Sequence, residues 1–125
     1  MTNELKFTED HEWVKVEGDI AVIGISEHAT EELGEIVYVD ILAQGEDVDR
    51  TGEFGSVESV KTVSSLYSPV SGTVVERNAS VIDKPEEINN SPYENGWLVK
   101  LKLTDSSELD DLMNESQYKE YLESQ

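Results

Sequence analysis

The sequence predicts a mainly β protein, a flattened sandwich or hybrid barrel of two quasi-symmetric β units, with a short helix after the second strand and helices at the C-terminus. Three observations carry that expectation. Short alternating apolar runs, separated by Gly, Asn and Asp, fill the chain up to about Leu103. A glycine-led segment recurs, Gly34-Glu35-Ile36-Val37-Tyr38-Val39-Asp40 beside Gly72-Thr73-Val74-Val75-Glu76-Arg77-Asn78. Two β units about a pseudo-twofold axis would explain this, and so would the general likeness of strands that follow glycines. After Leu103 the apolar spacing becomes helical. A chain of 125 residues is expected to form one domain, residues 1–125, with a core over about 4–103 and a helical appendage over about 106–123.

In chain order, the expected strands are Trp13 to Val16, Ile20 to Ile25, Glu35 to Leu42, Gly55 to Val60, Thr62 to Leu66, Gly72 to Glu76 and Trp97 to Leu103. Glu17-Gly18-Asp19 closes the first hairpin, and Val70-Ser71-Gly72-Thr73 bends the chain after Pro69. Ser26 is placed to cap a short helix with Ala29 and Leu33 inward, Glu27, Glu31 and Glu32 outward, and Gly34 as its stop. Ser106 to Met113 spaces Leu109, Leu112 and Met113 as a helix does. Asn114 with Gln117 forms a capping-box pattern that opens a last helix striped by Tyr118, Tyr121 and Leu122.

Charge narrows the function classes. Twenty-eight Asp and Glu against nine Lys and Arg leave a formal charge of -19, the wrong sign for a phosphate-backbone groove or an anionic membrane surface. Neither nucleic acid nor membrane is an expected partner, whereas proteins with basic patches are. The absence of cysteine removes disulfides, thiol catalysis and thiolate zinc sites. The start, Met1-Thr2-Asn3-Glu4-Leu5-Lys6, has neither a signal nor a transit pattern, so a cytoplasmic protein is expected, acting as a monomer.

No catalytic pattern stands out. There is no Gly-x-Ser-x-Gly elbow, EF-hand loop or His-Glu-x-x-His motif. The two histidines, His11 and His28, read as too few and too differently placed for a zinc site without help from carboxylates, and His28 reads as a solvated residue on an exposed helix. No metal site is expected, and the acids read as a solvated surface. Lysine placement says more. Lys61 is the only lysine between Lys15 and Lys84 and the only basic residue between Arg50 and Arg77. A hairpin turning near Val60-Lys61 would project its ammonium from the tip, through a type I turn that tolerates most residues. On these residues alone, an ordinary exposed lysine is the simpler reading.

Four ordered segments change that reading. Glu58-Ser59-Val60-Lys61-Thr62, followed by Tyr67-Ser68-Pro69-Val70-Ser71-Gly72, resembles the lipoyl-attachment region of the glycine cleavage system H proteins. His11-Glu12-Trp13-Val14, Leu33-Gly34-Glu35-Ile36-Val37-Tyr38-Val39 and Asn90-Ser91-Pro92-Tyr93-Glu94-Asn95-Gly96-Trp97 resemble that family in the same order. Biotin carriers typically flank their lysine with methionines, and lipoyl domains of 2-oxoacid dehydrogenases commonly place Asp before it; Val60 and Thr62 match neither. Two positions depart from the family pattern: Ile41-Leu42-Ala43-Gln44 stands where Pro is common, and Ser65 where Asp is common.

The resemblance implies a lipoyl/biotinyl-carrier-like fold and a carrier without catalysis of its own. Lys61 would hold lipoate in amide linkage, with Glu58 and Val60 recognised by a lipoate-attaching enzyme. The arm would take the aminomethyl group of glycine from a pyridoxal-phosphate glycine decarboxylase to a tetrahydrofolate-dependent aminomethyltransferase, and be reoxidised by dihydrolipoyl dehydrogenase. Glu12 would border the cleft that receives the loaded arm and favour the protonated amine there. Two alternatives stay open: a carrier relaying lipoate to 2-oxoacid dehydrogenase subunits, and an acidic interaction module without a cofactor.

Overall fold

A computed structural model describes residues 5–124; the expected domain limits at Met1 and Gln125 and the core limit at residue 4 lie outside them. The elements run β1 (Leu5–Phe7), β2 (Glu12–Glu17), β3 (Ile20–Ile25), α1 (Glu27–Leu33), β4 (Ile36–Ile41), β5 (Asp47–Val48), β6 (Glu53–Ser59), β7 (Val63–Tyr67) and β8 (Gly72–Arg77). There follow α2 (Ala79–Asp83), α3 (Glu86–Asn90), β9 (Val99–Leu103), a 3-10 turn (Ser106–Asp111), β10 (Met113–Asn114) and α4 (Glu115–Glu123). Seven strands pair in the order β10-β1-β2-β3-β9-β8-β5, and three in the order β4-β6-β7, with every pairing antiparallel. The mainly β sandwich is thus as expected, although its sheets are unequal and neither closes into a barrel. The two glycine-led segments fall in different sheets, β4 in the small one and β8 in the large one.

Burial explains why β3 reads as an almost unbroken apolar run. Ala21, Ile23 and Ile25 face the main core, with Ile36, Val39, Phe54, Val57 and Leu101. Val22 points the other way, into a second cluster with Phe7, Trp13 and Tyr118. A strand buried on both faces has no room for polar alternation. Trp13 lies opposite Gly24, where a Cβ would come within 2.7 Å of the indole ring, so this glycine is required by close approach. The indole Nε1 donates to the Pro92 carbonyl at 3.0 Å, which satisfies the one polar atom of a fully buried side chain. The β2–β3 hairpin turns on Gly18 at φ +67°, the positive φ that tight hairpin loops need at their first position.

Helix α1 forms as expected: the Ser26 hydroxyl accepts from Ala29 N at 3.2 Å, and Gly34 ends it at φ +81°. The expected helix over Ser106 to Met113 is instead a 3-10 turn over Ser106–Asp111. Asp105 takes the Ser107 amide at 3.0 Å and tightens the chain, and Met113 leaves to pair with Phe7 in the large sheet. Helix α4 carries the full capping box, Asn114 Oδ1 accepting from Gln117 N at 2.8 Å and Gln117 Oε1 from Asn114 N at 2.9 Å. It packs by stacking Tyr118 on Phe7 with ring centroids 4.3 Å apart. The one- or two-turn helices α2 and α3 and the two- or three-residue strands β1, β5 and β10 have no counterpart in the sequence reading. They are too short to show a period.

Candidate functional site

Lys61 stands in the three-residue connection Val60–Thr62 that joins β6 to β7. No Gly, Asn or Asp shapes this turn; Ser59 does. Its hydroxyl, 5% exposed, accepts from the amides of Lys61 and Thr62, each at 3.1 Å, while its own N–H donates to the Thr62 carbonyl at 2.8 Å. Val60 N donates to the Glu35 carbonyl at 3.1 Å, tying the tip to the approach of β4. The backbone is therefore pinned while the side chains point outward, Val60 66% and Val63 65% exposed.

The Lys61 ammonium is exposed and joins none of the ion pairs among the described residues. Its only hydrogen bond among the described residues is a long one, 3.5 Å, to the Glu32 carbonyl. The lysine stem lies over Gly34, whose φ of +81° few other residues adopt and where a Cβ would sit 3.2 Å from Lys61 Cε. Glu58 is exposed on the outer face of the small sheet, in register with Tyr38 on one side and Val63 on the other. Ser65 occupies the next row on that face, beside Ser56 and Asp40.

At the far end of β7 the chain borders a cleft of about 380 Å³, lined among others by Thr8, Asp10, Glu12, Arg50, Tyr67 and Pro69. Glu12 is 2% exposed. Thr8 Oγ1 donates to its Oε1 at 2.8 Å and Tyr67 N to its Oε2 at 3.3 Å. Burial outweighs both bonds and pushes the carboxyl up to about 7. Arg50, the cation of the cleft, is bound to Asp111 at 2.8 Å. Strand β7 thus joins two of the sites named from sequence, the lysine tip with Glu58 and Val60 at one end and Glu12 at the other.

The expectation that His11 and His28 are differently placed is corrected, while the expectation that two histidines need a carboxylate's help stands, since Glu32 joins them. Their ring centroids lie 4.8 Å apart, because β2 starts beside the N-terminus of α1, and Ser26 N donates to the His11 carbonyl at 2.9 Å. Glu32, four residues along the same helix, meets His28 at 3.4 Å. Burial, then the neighbouring His28 charge, hold His11 below its ordinary value, while burial pushes Tyr118 up to about 12. The i,i+4 spacing of His28 and Glu32 was the available signal; the approach of His11 was not local enough to see.

A family model described as glycine cleavage H-protein matches residues 5–125. The glycine cleavage system H protein of Staphylococcus carnosus (strain TM300) is 57% identical over 119 residues, covering 95% of this chain and 94% of that protein. That of Staphylococcus haemolyticus (strain JCSC1435) is 54% identical over 120 residues, covering 96% and 95%. The crystal structure of a glycine cleavage system H protein from Mycobacterium marinum superposes with a TM-score of 0.89 at 35% identity, covering 98% of this chain and 99% of that one. With a family model over nearly its whole length, relatives at 57% and 54% identity and a matching fold, the chain belongs to the glycine cleavage H-protein family.

Proposed function

We propose that Lys61 carries lipoate and that the chain serves glycine cleavage as the lipoyl carrier between three enzymes. The observation that carries this reading is the tip itself: an isolated, exposed lysine on a backbone held by Ser59 and the Glu35 carbonyl, free of any carboxylate partner among the described residues. These residues fit an amide-linked lipoyl group. The ammonium gives up only one long hydrogen bond when it becomes an amide, and the exposed Val60 and Val63 offer apolar surface beside the attachment point. When bound, lipoate supplies a disulfide that accepts the aminomethyl group of glycine and a dithiol that is later reoxidised.

The chain's own residues present, attract and shelter. The pinned tip fixes where the arm starts, which raises the effective concentration of its end at a docked partner. The charge of -19 speeds encounters with basic docking faces on the glycine decarboxylase, the aminomethyltransferase and the dihydrolipoyl dehydrogenase, and leaves release fast. Glu58, Val60 and the adjoining Tyr38 and Val63 present a mixed surface to the lipoate-attaching enzyme. Glu12 waits in the cleft as a carboxyl whose burial favours the protonated form. A cationic amine brought beside it favours the ionised carboxylate, and the pair then keeps that amine protonated. The same reading puts this cycle in the cytoplasm.

Intact mass and peptide mapping after treatment with a lipoate ligase test the reading. A single lipoyl addition on Lys61, lost in Lys61→Arg, is the expected result. Modification mainly on Lys84, Lys100 or Lys102, or none, would remove the carrier assignment.

A further inference from the structure

From the cluster of His11, His28 and Glu32 we infer a binding site for a divalent transition cation of the zinc type, with three protein ligands and one position left to water. One potential ligand atom from each residue falls within 4.8 Å of the others. His28 Nε2 and Glu32 Oε1 are already 3.4 Å apart, close to the roughly 3.3 Å that separates two ligands of a tetrahedral ion with bonds near 2.05 Å. They share one face of α1 at i,i+4, the spacing by which a helix offers two ligands to one metal. Drawing the three ligand atoms in from within 4.8 Å asks for a swing of the His11 ring about its side-chain torsions.

The surroundings have the form of a metal's outer shell. His11 Nδ1 lies 2.8 Å from the Tyr118 hydroxyl, and that hydroxyl lies 2.8 Å from Ser26 Oγ. With the proton on Nδ1, His11 donates to Tyr118 and Tyr118 donates to Ser26, which leaves the Nε2 lone pair directed away from this chain of bonds and available to an ion. His11 itself sits at φ +70°, a left-handed conformation that costs a non-glycine residue about 1 kcal/mol or more. It is held there by His11 N donating to the Thr8 carbonyl at 3.1 Å and by the bond from Ser26. The β1–β2 hairpin loop, whose last residue is left-handed, thus fixes the His11 backbone and turns its ring toward the one other imidazole of the sequence. Two imidazoles with one carboxylate suit zinc or a similar borderline cation, whereas calcium and magnesium need all-oxygen shells that this cluster cannot supply.

Zinc added to the metal-free full chain, followed by calorimetry and by the ring signals of its two histidines, tests the site. One equivalent is expected to bind and to shift both imidazoles together. Removing a ligand by His28→Ala or Glu32→Gln is expected to weaken binding at least tenfold, on the order of what loss of outer-shell partners alone produces. Tyr118→Phe, which keeps the stacked ring, is expected to weaken it by about tenfold through His11 alone. His11→Asn keeps a residue that tolerates positive φ, so its loss of binding cannot be ascribed to the loop, and far-ultraviolet dichroism reports the fold of each variant. Absence of stoichiometric zinc binding would overturn the site. So would binding unchanged in His28→Ala and Glu32→Gln, a shift confined to one imidazole, or a calcium titration with the same affinity, all marks of diffuse association with the acidic surface.

Discussion

The two ends of strand β7 solve opposite problems. At the tip the group of interest, Lys61, is outside and its support is inside: Ser59 is buried so that the lysine can stay free. At the cleft the group of interest, Glu12, is itself buried, and the cost of its burial appears as a raised pKa. The turn at the tip is shaped by residues within three positions of each other, Ser59 to Thr62, and tied to the approach of β4 through the Glu35 carbonyl. The cleft needs Thr8, Glu12 and Tyr67, the last pair 55 positions apart. A covalent attachment point needs access and a fixed backbone. A site that receives a charged group needs a desolvated partner, which only tertiary packing supplies.

Glu12→Gln has the largest expected effect, because it removes the ionisable group whose pKa burial in the cleft raises. Its folded pKa of about 7 lies above the ordinary 4.5, so the folded state holds the proton more tightly than the unfolded state does. Stability from this group is full below about pH 4.5, falls as pH rises through 7 and is lost above it, on the order of 3 kcal/mol for the whole change. Urea unfolding is therefore expected to show the variant near the parent at pH 5 and more stable by up to about 3 kcal/mol at pH 8. In the amine-loaded carrier the variant is expected to decay faster without tetrahydrofolate, with ammonia and formaldehyde released, since Gln offers no charge to keep the amine protonated. Equal pH profiles would return Glu12 to an ordinary solvated carboxylate, and equal lifetimes would remove it from the loaded state.

Ser59→Ala attacks the other end with a smaller effect. It strips the acceptor from two amide groups in a part-buried turn, at about 1–2 kcal/mol in urea unfolding. The tip is also expected to accept lipoate more slowly, because an unpinned lysine spends less time in the presented geometry. Full stability together with full lipoylation rate would mean that the turn is held by the Glu35 and Thr62 carbonyls without the hydroxyl.

The difference between the two ends also sets how much of each was legible in sequence. Lys61 stood out as an isolated basic residue between β-competent runs, and the strands on either side shifted by only a residue or two, to Glu53–Ser59 and Val63–Tyr67. Glu58 opposite Tyr38 and Val63 follows from that register. Glu12 could be named only through the family pattern around it, since nothing local to His11-Glu12-Trp13 announces that Thr8 and the Tyr67 amide will enclose it. The place of His11 is hidden in the sequence for the same reason: the bond from Ser26 that brings α1 beside it spans fifteen residues and a strand pairing. The helix expected over Ser106 to Met113 failed differently. Its helical spacing is real, but an Asp105 cap and an open strand edge at β1 together outweighed a weak propensity.

Glu58→Gln is the mildest change, because it alters charge at the tip without touching what holds the tip. Glu58 lies on the outer face between Tyr38 and Val63 and takes part in no ion pair among the described residues, so the fold is expected to stay within about 0.5 kcal/mol of the parent. What changes is the surface that the lipoate-attaching enzyme meets three residues before the lysine. A rim charge is worth about 0.5–1 kcal/mol in an encounter, so the initial rate of lipoylation is expected to fall roughly two- to fivefold, and the deficit is expected to shrink as salt is raised. An unchanged rate at low salt would leave Glu58 as a plain strand carboxylate. Recognition of the tip would then rest on Val60 and on the shape that Ser59 imposes.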